Sequence, residues 1–201
     1  MMECTKSGFA EYIELKSHFI AYCYGLGNVS SFQSYLEQLH TQHPDATHFV
    51  YAYRLSSSSQ LYEKFSDDGE PYGTAGLPLL GLLQRKGIQN TVLFVVRYFG
   101  GVKLGKKGLF SAYLNTAISA MNNASFKEKR QGYCLSLRFD YSVFALLEKW
   151  LNEHDTQIFE RDFAQDITLK LWIEENAYST FVASEFKSVC KLTGIEKMNM
   201  L

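Results

Sequence analysis

Four cations crowd one short stretch, RYFGGVKLGKKGL at residues 97–109: Arg97, Lys103, Lys106 and Lys107. Gly100, Gly105 and Lys106 reproduce the G-x-x-x-x-G-K part of a phosphate-cradling loop. A loop of that kind, set between a strand and a helix N-terminus, aims backbone N–H groups and a partial positive charge at an anion. A nucleotide-hydrolysing loop also needs a Ser or Thr hydroxyl after the lysine to hold Mg²⁺, and Lys107 stands there instead. No apolar strand ending in Asp stands out as a partner for the metal. The pattern therefore argues against an ATPase and leaves two readings. Either Gly100, Gly101, Gly105 and Gly108 serve a sharp turn or close packing, or the basic turn meets the phosphates of a nucleic acid, the glycines allowing close approach.

A second stretch, FSDDGEPYGTAG at residues 65–76, gathers Asp67, Asp68 and Glu70. Three carboxylates so close could hold a hard cation or act as the paired acid and base of a hydrolase. The spacing is not that of an EF-hand, and acidic residues ahead of a helix are also ordinary cap and dipole chemistry. Pairing of these carboxylates with Arg97 would orient the basic turn. His40, His43 and His48 invite a metal reading, but no Cys or acidic partner completes a ligand set, so they read as surface histidines. Neither a Ser-His-Asp nor a Cys-His arrangement has a local signature. Phe9, Tyr12, Tyr51 and Tyr53 could stack on bases, although at 15% aromatic content core packing is the simpler reading. The residues call for no cofactor and no metal.

These stretches need elements to position them. Residues 9–24 are rich in aromatic and β-branched types and read as two strands meeting near Lys16–Ser17. Ser30 or Ser31 would cap a helix whose apolar face is Phe32, Tyr35, Leu36 and Leu39. HFVYAYRL (48–55) and LYEKF (61–65) read as strands around the loop SSSSQ. The SDDGEPYG loop follows on turn chemistry, with Asp-Gly and Pro71. Thr74 would cap a helix through about Lys86, with Pro78 in its first turns. TVLFVV (91–96) is apolar throughout, as in a strand covered on both faces. Gly108 to Met121 carries a small-residue helical face of Leu109, Ala112, Tyr113, Thr116, Ala117 and Ala120. The polar run KEKRQ (127–131) reads as a boundary between domains 1–130 and 131–201. The second then reads as CLSLRFDY strand, Val143–Asn152 helix, a hairpin of TQIFERDF and ITLKLWI, a Tyr178–Lys191 helix and a last strand after Gly194. That order, βαββαβ in about 70 residues, is the ferredoxin-like split-βαβ motif, and it hosts many functions.

Bulk properties narrow the partners. The chain has 201 residues, 46% of them hydrophobic, enough to fill two cores. Its net charge is −1, but residues 1–130 hold 13 Lys and Arg against 10 Asp and Glu, a balance of +3. Residues 131–201 hold 7 against 11, a balance of −4, so anion binding belongs to the first part. Cys4, Cys23, Cys134 and Cys190 form no C-x-x-C pair and read as reduced thiols. The N-terminus lacks an apolar signal region, and the longest apolar run falls far short of a membrane span. Together these predict a cytoplasmic α+β protein with no membrane partner.

FSDDGEPYGTAGLP followed by VVRYFGGVKLGKKGL resembles the two signature blocks of the IMPACT/YigZ family, and KSHFIA (16–21) and HPDATHFVYAYR (43–54) resemble its weaker blocks. The resemblance spans essentially the whole chain. It implies an N-terminal domain similar to the second domain of small-subunit ribosomal protein five and to domain IV of elongation factor G. It implies a C-terminal ferredoxin-like domain similar to domain V of that factor. The family is associated with translation: eukaryotic members regulate the response of an initiation-factor kinase to amino-acid starvation, and bacterial members resemble RNA or ribosome binders. The surface carried across comprises Asp67, Asp68, Gly69, Glu70, Pro71, Gly73, Thr74, Ala75 and Gly76, with Arg97, Tyr98, Gly100, Gly101, Leu104, Gly105, Gly108 and Leu109. Three departures stand out. Lys106 and Lys107 replace a small pair, Phe49 and Val50 replace a His-Cys pair, and His18 replaces a basic residue. The expectation is a non-catalytic, translation-associated protein that binds RNA or the ribosome through Arg97, Lys103, Lys106 and Lys107, with a protein partner for the acidic C-terminal domain. The alternatives are a hydrolase built on Asp67, Asp68 and Glu70, or a protein-interaction module of a stress response.

Overall fold

The computed structural model describes residues 2–57, 60–128 and 130–200. Ser58 and Ser59 of the expected SSSSQ loop and Lys129 of the expected KEKRQ linker lie outside the described residues. The chain divides into two compact mixed α/β units, Met1–Glu128 and Lys129–Leu201. Among the described residues no helix is long and apolar enough to cross a membrane.

In the first unit, β1 (Met2–Lys6), β2 (Gly8–Glu14) and β3 (Ser17–Gly25) lead into α1 (Val29–Gln42). β4 (His48–Ser57) and β5 (Gln60–Ser66) precede α2 (Gly76–Arg85). β6 (Ile88–Gln89) and β7 (Thr91–Tyr98) precede α3 (Gly105–Asn122) and β8 (Ser125–Glu128). Five strands form an antiparallel sheet in the order β2-β3-β7-β4-β5. The apolar run of β7 places it at the centre, where residues 91–97 are all buried, because helices cover both faces. On one face Leu79, Leu83, Leu109, Ala112 and Ala117 of α2 and α3 meet Phe19, Val50, Leu93 and Val95. On the other, Phe32 and Leu39 of α1 meet Ile20, Phe49, Phe94 and Val96. The small residues of α3 bring its backbone close to β2 and β3 and leave room for one large side chain, Tyr113, edge-on to Phe19 at 5.1 Å.

Away from the acidic loop, local chemistry differs from the sequence expectation at three points in this unit. Asn28, ahead of both serines, caps α1, its Oδ1 accepting the Ser31 N–H at 2.8 Å. α3 begins three residues earlier than its small-residue period suggests, so Lys106 and Lys107 sit in its first turn. A second sheet, β6-β1-β8, recruits the N-terminal residues and part of the polar run that reads as a linker.

The second unit runs β9 (Arg130–Phe139), α4 (Tyr141–Glu153), β10 (Thr156–Phe163), β11 (Ile167–Glu174), α5 (Glu175–Ala183), α6 (Phe186–Val189) and β12 (Lys191–Met200). Its antiparallel sheet has the order β10-β11-β9-β12, with Leu135, Leu137, Leu169 and Leu171 packed under Leu147, Leu151 and Phe181. The Asp140 and Glu174 carboxylates cap α4 and α5. The continuous Tyr178–Lys191 helix is interrupted. The Ser184 hydroxyl donates to the Phe181 carbonyl and accepts from the Phe186 N–H, ending one helix and starting the next.

Candidate functional site

At one end of β7 four segments converge. The registers His48↔Arg97 and Phe19↔Arg97 set Arg97 between β4 and β3. The 66–75 loop crosses above it, and the turn after β7 leads into α3. Arg97 is only 4% exposed. Its Nη1 donates to Glu70 Oε1 at 2.5 Å and its Nη2 to Ser17 Oγ at 3.1 Å. Its guanidinium carbon lies 5.3 Å from the ring centres of both Phe19 and Phe99. Tyr113 donates its hydroxyl to the same Glu70 oxygen at 2.7 Å. Burial, and then the adjacent Glu70 charge, push the Tyr113 hydroxyl far above the usual tyrosine value, so it stays a donor. Arg97 Nε alone, among the buried side-chain nitrogens and oxygens described, has no hydrogen-bond partner.

The loop that delivers Glu70 is held by its two aspartates. Asp67 accepts the backbone N–H groups of Gly73, Ala75 and Gly76 at 2.8, 3.0 and 2.8 Å. It therefore caps α2 from eight residues upstream of Ala75, in place of Thr74, whose hydroxyl donates to the Pro71 carbonyl. Asp68 Oδ2 accepts the Phe49 N–H at 2.6 Å, and the Asp68 carbonyl accepts His48 Nδ1–H at 2.7 Å. Asp68 and Gly69 both have positive φ, which makes the turn that raises Glu70. Asp67 and Asp68 are thus spent on backbone amides. Of the three carboxylates expected to cluster for metal or acid–base work, Glu70 lines the cleft beside Arg97, and Asp67 and Asp68 are not among its lining residues. Among the described residues no group of three or more His, Cys, Asp or Glu side chains is placed to hold a metal ion.

The cleft has a volume of about 410 Å³ and lies between this buried cluster and the start of α3. Glu70, Arg97 and His48 form its polar floor, Pro71, Phe99, Leu104 and Leu109 its apolar walls, and Thr47, Lys103, Gly105 and Lys106 its remaining lining. Leu104 offers α3 no side-chain cap, so the first N–H groups of the helix stay open to a ligand. Lys16, Lys103, Lys106 and Lys107 are exposed, and none forms an ion pair within the described residues. Lys107 does not line the cleft. Gly100 packs on the Lys16 backbone, where a Cβ would fall 2.0 Å from the Lys16 carbonyl carbon, and Gly100 N–H donates to Ser17 Oγ. Gly101 and Gly105 take positive φ. Of the expected basic contacts, Arg97 is sealed by Glu70 and two phenyl rings and cannot reach a phosphate, which leaves the lysines.

The residues that the sequence reading did not mark for this site are Ser17, Thr47 and Phe99, together with Tyr113, which it placed only on the packing face of α3, and His48, which it read as a surface histidine. Of the three histidines read as surface residues, His40 is exposed, whereas His43 and His48 are partly buried and hydrogen-bonded. His43 bridges the Tyr22 and Tyr98 hydroxyls at 2.7 and 2.9 Å, and His48 Nε2 stands 3.7 Å from Glu70 Oε1 inside the cleft.

The site thus sets a buried arginine–glutamate pair beneath an uncapped, lysine-rich helix start, in a chain of two mixed α/β units. Residues 15–121 match the Impact N-terminal domain family. The chain is 30% identical to the IMPACT family member YvyE of Bacillus subtilis over 88% of its own length and 81% of the relative's. It is likewise 30% identical to the IMPACT family member YigZ of Escherichia coli, over 84% and 83% of the two chains. A crystal structure described as a hypothetical protein superposes with a TM-score of 0.60 at 28% identity, covering 97% of each chain. The chain belongs to the IMPACT family.

Proposed function

We propose that this chain is a non-catalytic, translation-associated protein of the cytoplasm that binds RNA, free or in the ribosome, at the Lys103–Lys107 turn of its first unit. The observation that carries this reading is the set of exposed cations without acidic partners beside the open N–H groups of α3. Like charges held together without counter-charges favour an anion, and a run of phosphates meets several lysines at once. The role of the glycines is to let the backbone approach that strand, and the role of the aspartates is to fix Glu70, which neutralises Arg97 beneath it. Translation enters from the family resemblance. The hydrolase alternative is not favoured, because two of its three carboxylates are consumed by backbone amides.

We read the second unit as ferredoxin-like, on the support of its βαββαβ order and its β10-β11-β9-β12 sheet, and its net acidity suits a protein partner better than phosphate. The test is titration of the protein against ribosomal subunits, tRNA and duplex DNA at two salt concentrations, repeated with K103A/K106A/K107A. Expected is salt-sensitive binding whose slope flattens by up to about 0.7–0.9 per lost phosphate contact in the triple variant. Absence of binding to all three at low salt refutes the reading.

A further inference from the structure

The lysine turn explains affinity for phosphate but leaves the cleft floor unused. His48 Nδ1 faces the Asp68 carbonyl at 2.7 Å, and a carbonyl only accepts, so Nδ1 carries the proton. In the neutral ring Nε2 is then an acceptor, and it looks across 3.7 Å at Glu70 Oε1, too far for a hydrogen bond. Glu70 Oε1 already takes two donors, and no hydrogen bond from the described residues reaches its Oε2. With the ring in that form, two acceptors share one corner of the cleft, and no described side chain places a donor between them. Thr47 Oγ1, which accepts the Phe99 N–H at 3.0 Å, keeps its own proton for a ligand. The occupant must bring adjacent N–H donors to the floor and an acceptor beside them. It must also be flat enough to lie against Phe99, and anionic at the end that meets Lys103 and Lys106. A cationic ligand would face those lysines and Arg97 with one carboxylate for compensation.

We infer that the cleft binds one guanine nucleotide, its N1–H and N2–H edge on Glu70 and His48, its O6 toward Thr47 and its 5′ phosphate at Lys103 and Lys106. Guanine alone among the bases sets two donor nitrogens side by side with an acceptor next to them. Adenine and cytosine pair one amino donor with a ring acceptor, and uracil has one N–H between two carbonyls. The volume of about 410 Å³ lies within the range of small-molecule sites, roughly 300–1,000 Å³, and accommodates one nucleotide but not a stack. The inference rests on the RNA reading for the phosphate, and it adds the base. An unpaired residue splayed from RNA and a free nucleotide present the same chemistry.

The test is calorimetric titration of the full chain with GMP, IMP, AMP, UMP and inorganic phosphate. In parallel, single-stranded oligonucleotides with and without guanine are titrated at two salt concentrations. IMP lacks only the N2 amino group, so losing a hydrogen bond to a charged acceptor predicts at least about tenfold weaker binding than GMP. AMP and UMP bind no better than IMP. The E70Q variant removes the acceptor but also the charge that holds Arg97. H48F is therefore run beside it, with circular dichroism to verify folding, and is expected to erase the preference for GMP while keeping the salt-dependent component. If GMP, AMP and UMP bind equally, the inference is overturned. Salt-dependent oligonucleotide binding in that case leaves the RNA reading standing. If GMP is preferred but no oligonucleotide binds, the base assignment holds for a free nucleotide and the RNA reading falls. If nothing binds, both fall.

Discussion

Replacing Arg97 with methionine removes the cation and keeps most of the aliphatic volume. In the folded protein the change strands Glu70, whose side chain is 4% exposed, with the Tyr113 hydroxyl as its one remaining side-chain donor among the described residues. Breaking one side of a buried pair leaves an uncompensated charge, which costs about 3–5 kcal/mol. Loss of the Nη2 bond to Ser17 and of the stacking between Phe19 and Phe99 acts in the same direction. Removing both charges in R97M/E70M is expected to cost less than the two single changes together, because the second change relieves what the first exposes. Both tryptophans, Trp150 and Trp172, lie in the second unit. The first unit must therefore be followed by urea denaturation with far-ultraviolet circular dichroism and tyrosine absorbance. At a urea slope of about 1–3 kcal/mol per molar, the midpoint of R97M falls by about 1 M or more. A loss below about 1 kcal/mol, or additive costs in the double variant, would refute the argument that the pair anchors the site.

Asp67→Ala removes the acceptor of three backbone amides at the start of α2, and a loss of about 2–3 kcal/mol is expected. Asp67→Asn keeps an oxygen and should lose less, both read in the same melts. Gly100→Ala drives a methyl into the Lys16 backbone and should prevent the native turn, whereas Gly27→Ala, with nothing within 4 Å of its added methyl, should leave the melt unchanged. Burial, and then the charge of His18, hold His43 below the ordinary histidine value of about 6.5. Just below that pH the unfolded chain binds more protons than the folded one, so stability falls as pH drops through about 6.5 and is flat above it. His43→Gln should abolish that slope in melts between pH 5 and 8.

Elements with a strong period were legible, and pairings between distant segments were not. The unbroken apolar run 91–96 could only be a central strand, and the small-residue face of α3 could only pack close to a sheet. The β6-β1-β8 sheet escaped notice because MECTK and SFKE carry no alternation long enough to mark a strand; they are strands because they find each other. Capping failed in a telling way. The serines and Thr74 are the local candidates, yet a helix N-terminus accepts any oxygen brought to it, and a loop brings Asp67. In the site, the acidic loop and the basic turn each read as one charged cluster. The sequence does not say which charges are consumed within the protein. Arg97 follows an apolar strand, and its period places it inside; once there it requires a carboxylate, and Glu70 is raised to it while its neighbours bond amides.

That division of labour accounts for why the two distinctive stretches act as one unit. Ser17 at the start of β3, Glu70 from the acidic loop, Arg97 from β7 and Tyr113 from α3 meet through hydrogen bonds to two side chains. The Glu70–Arg97 pair is close to neutral as a whole, so the field at the cleft mouth comes from Lys103, Lys106 and the start of α3. Ser17 Oγ also accepts the Gly100 N–H, which ties the turn bearing the lysines to the buried pair. The cations are therefore held by polar bonds to the interior and not by salt bridges at the surface. A surface salt bridge would cancel the charge of these lysines, whereas a hydrogen-bonded backbone positions them and leaves that charge free.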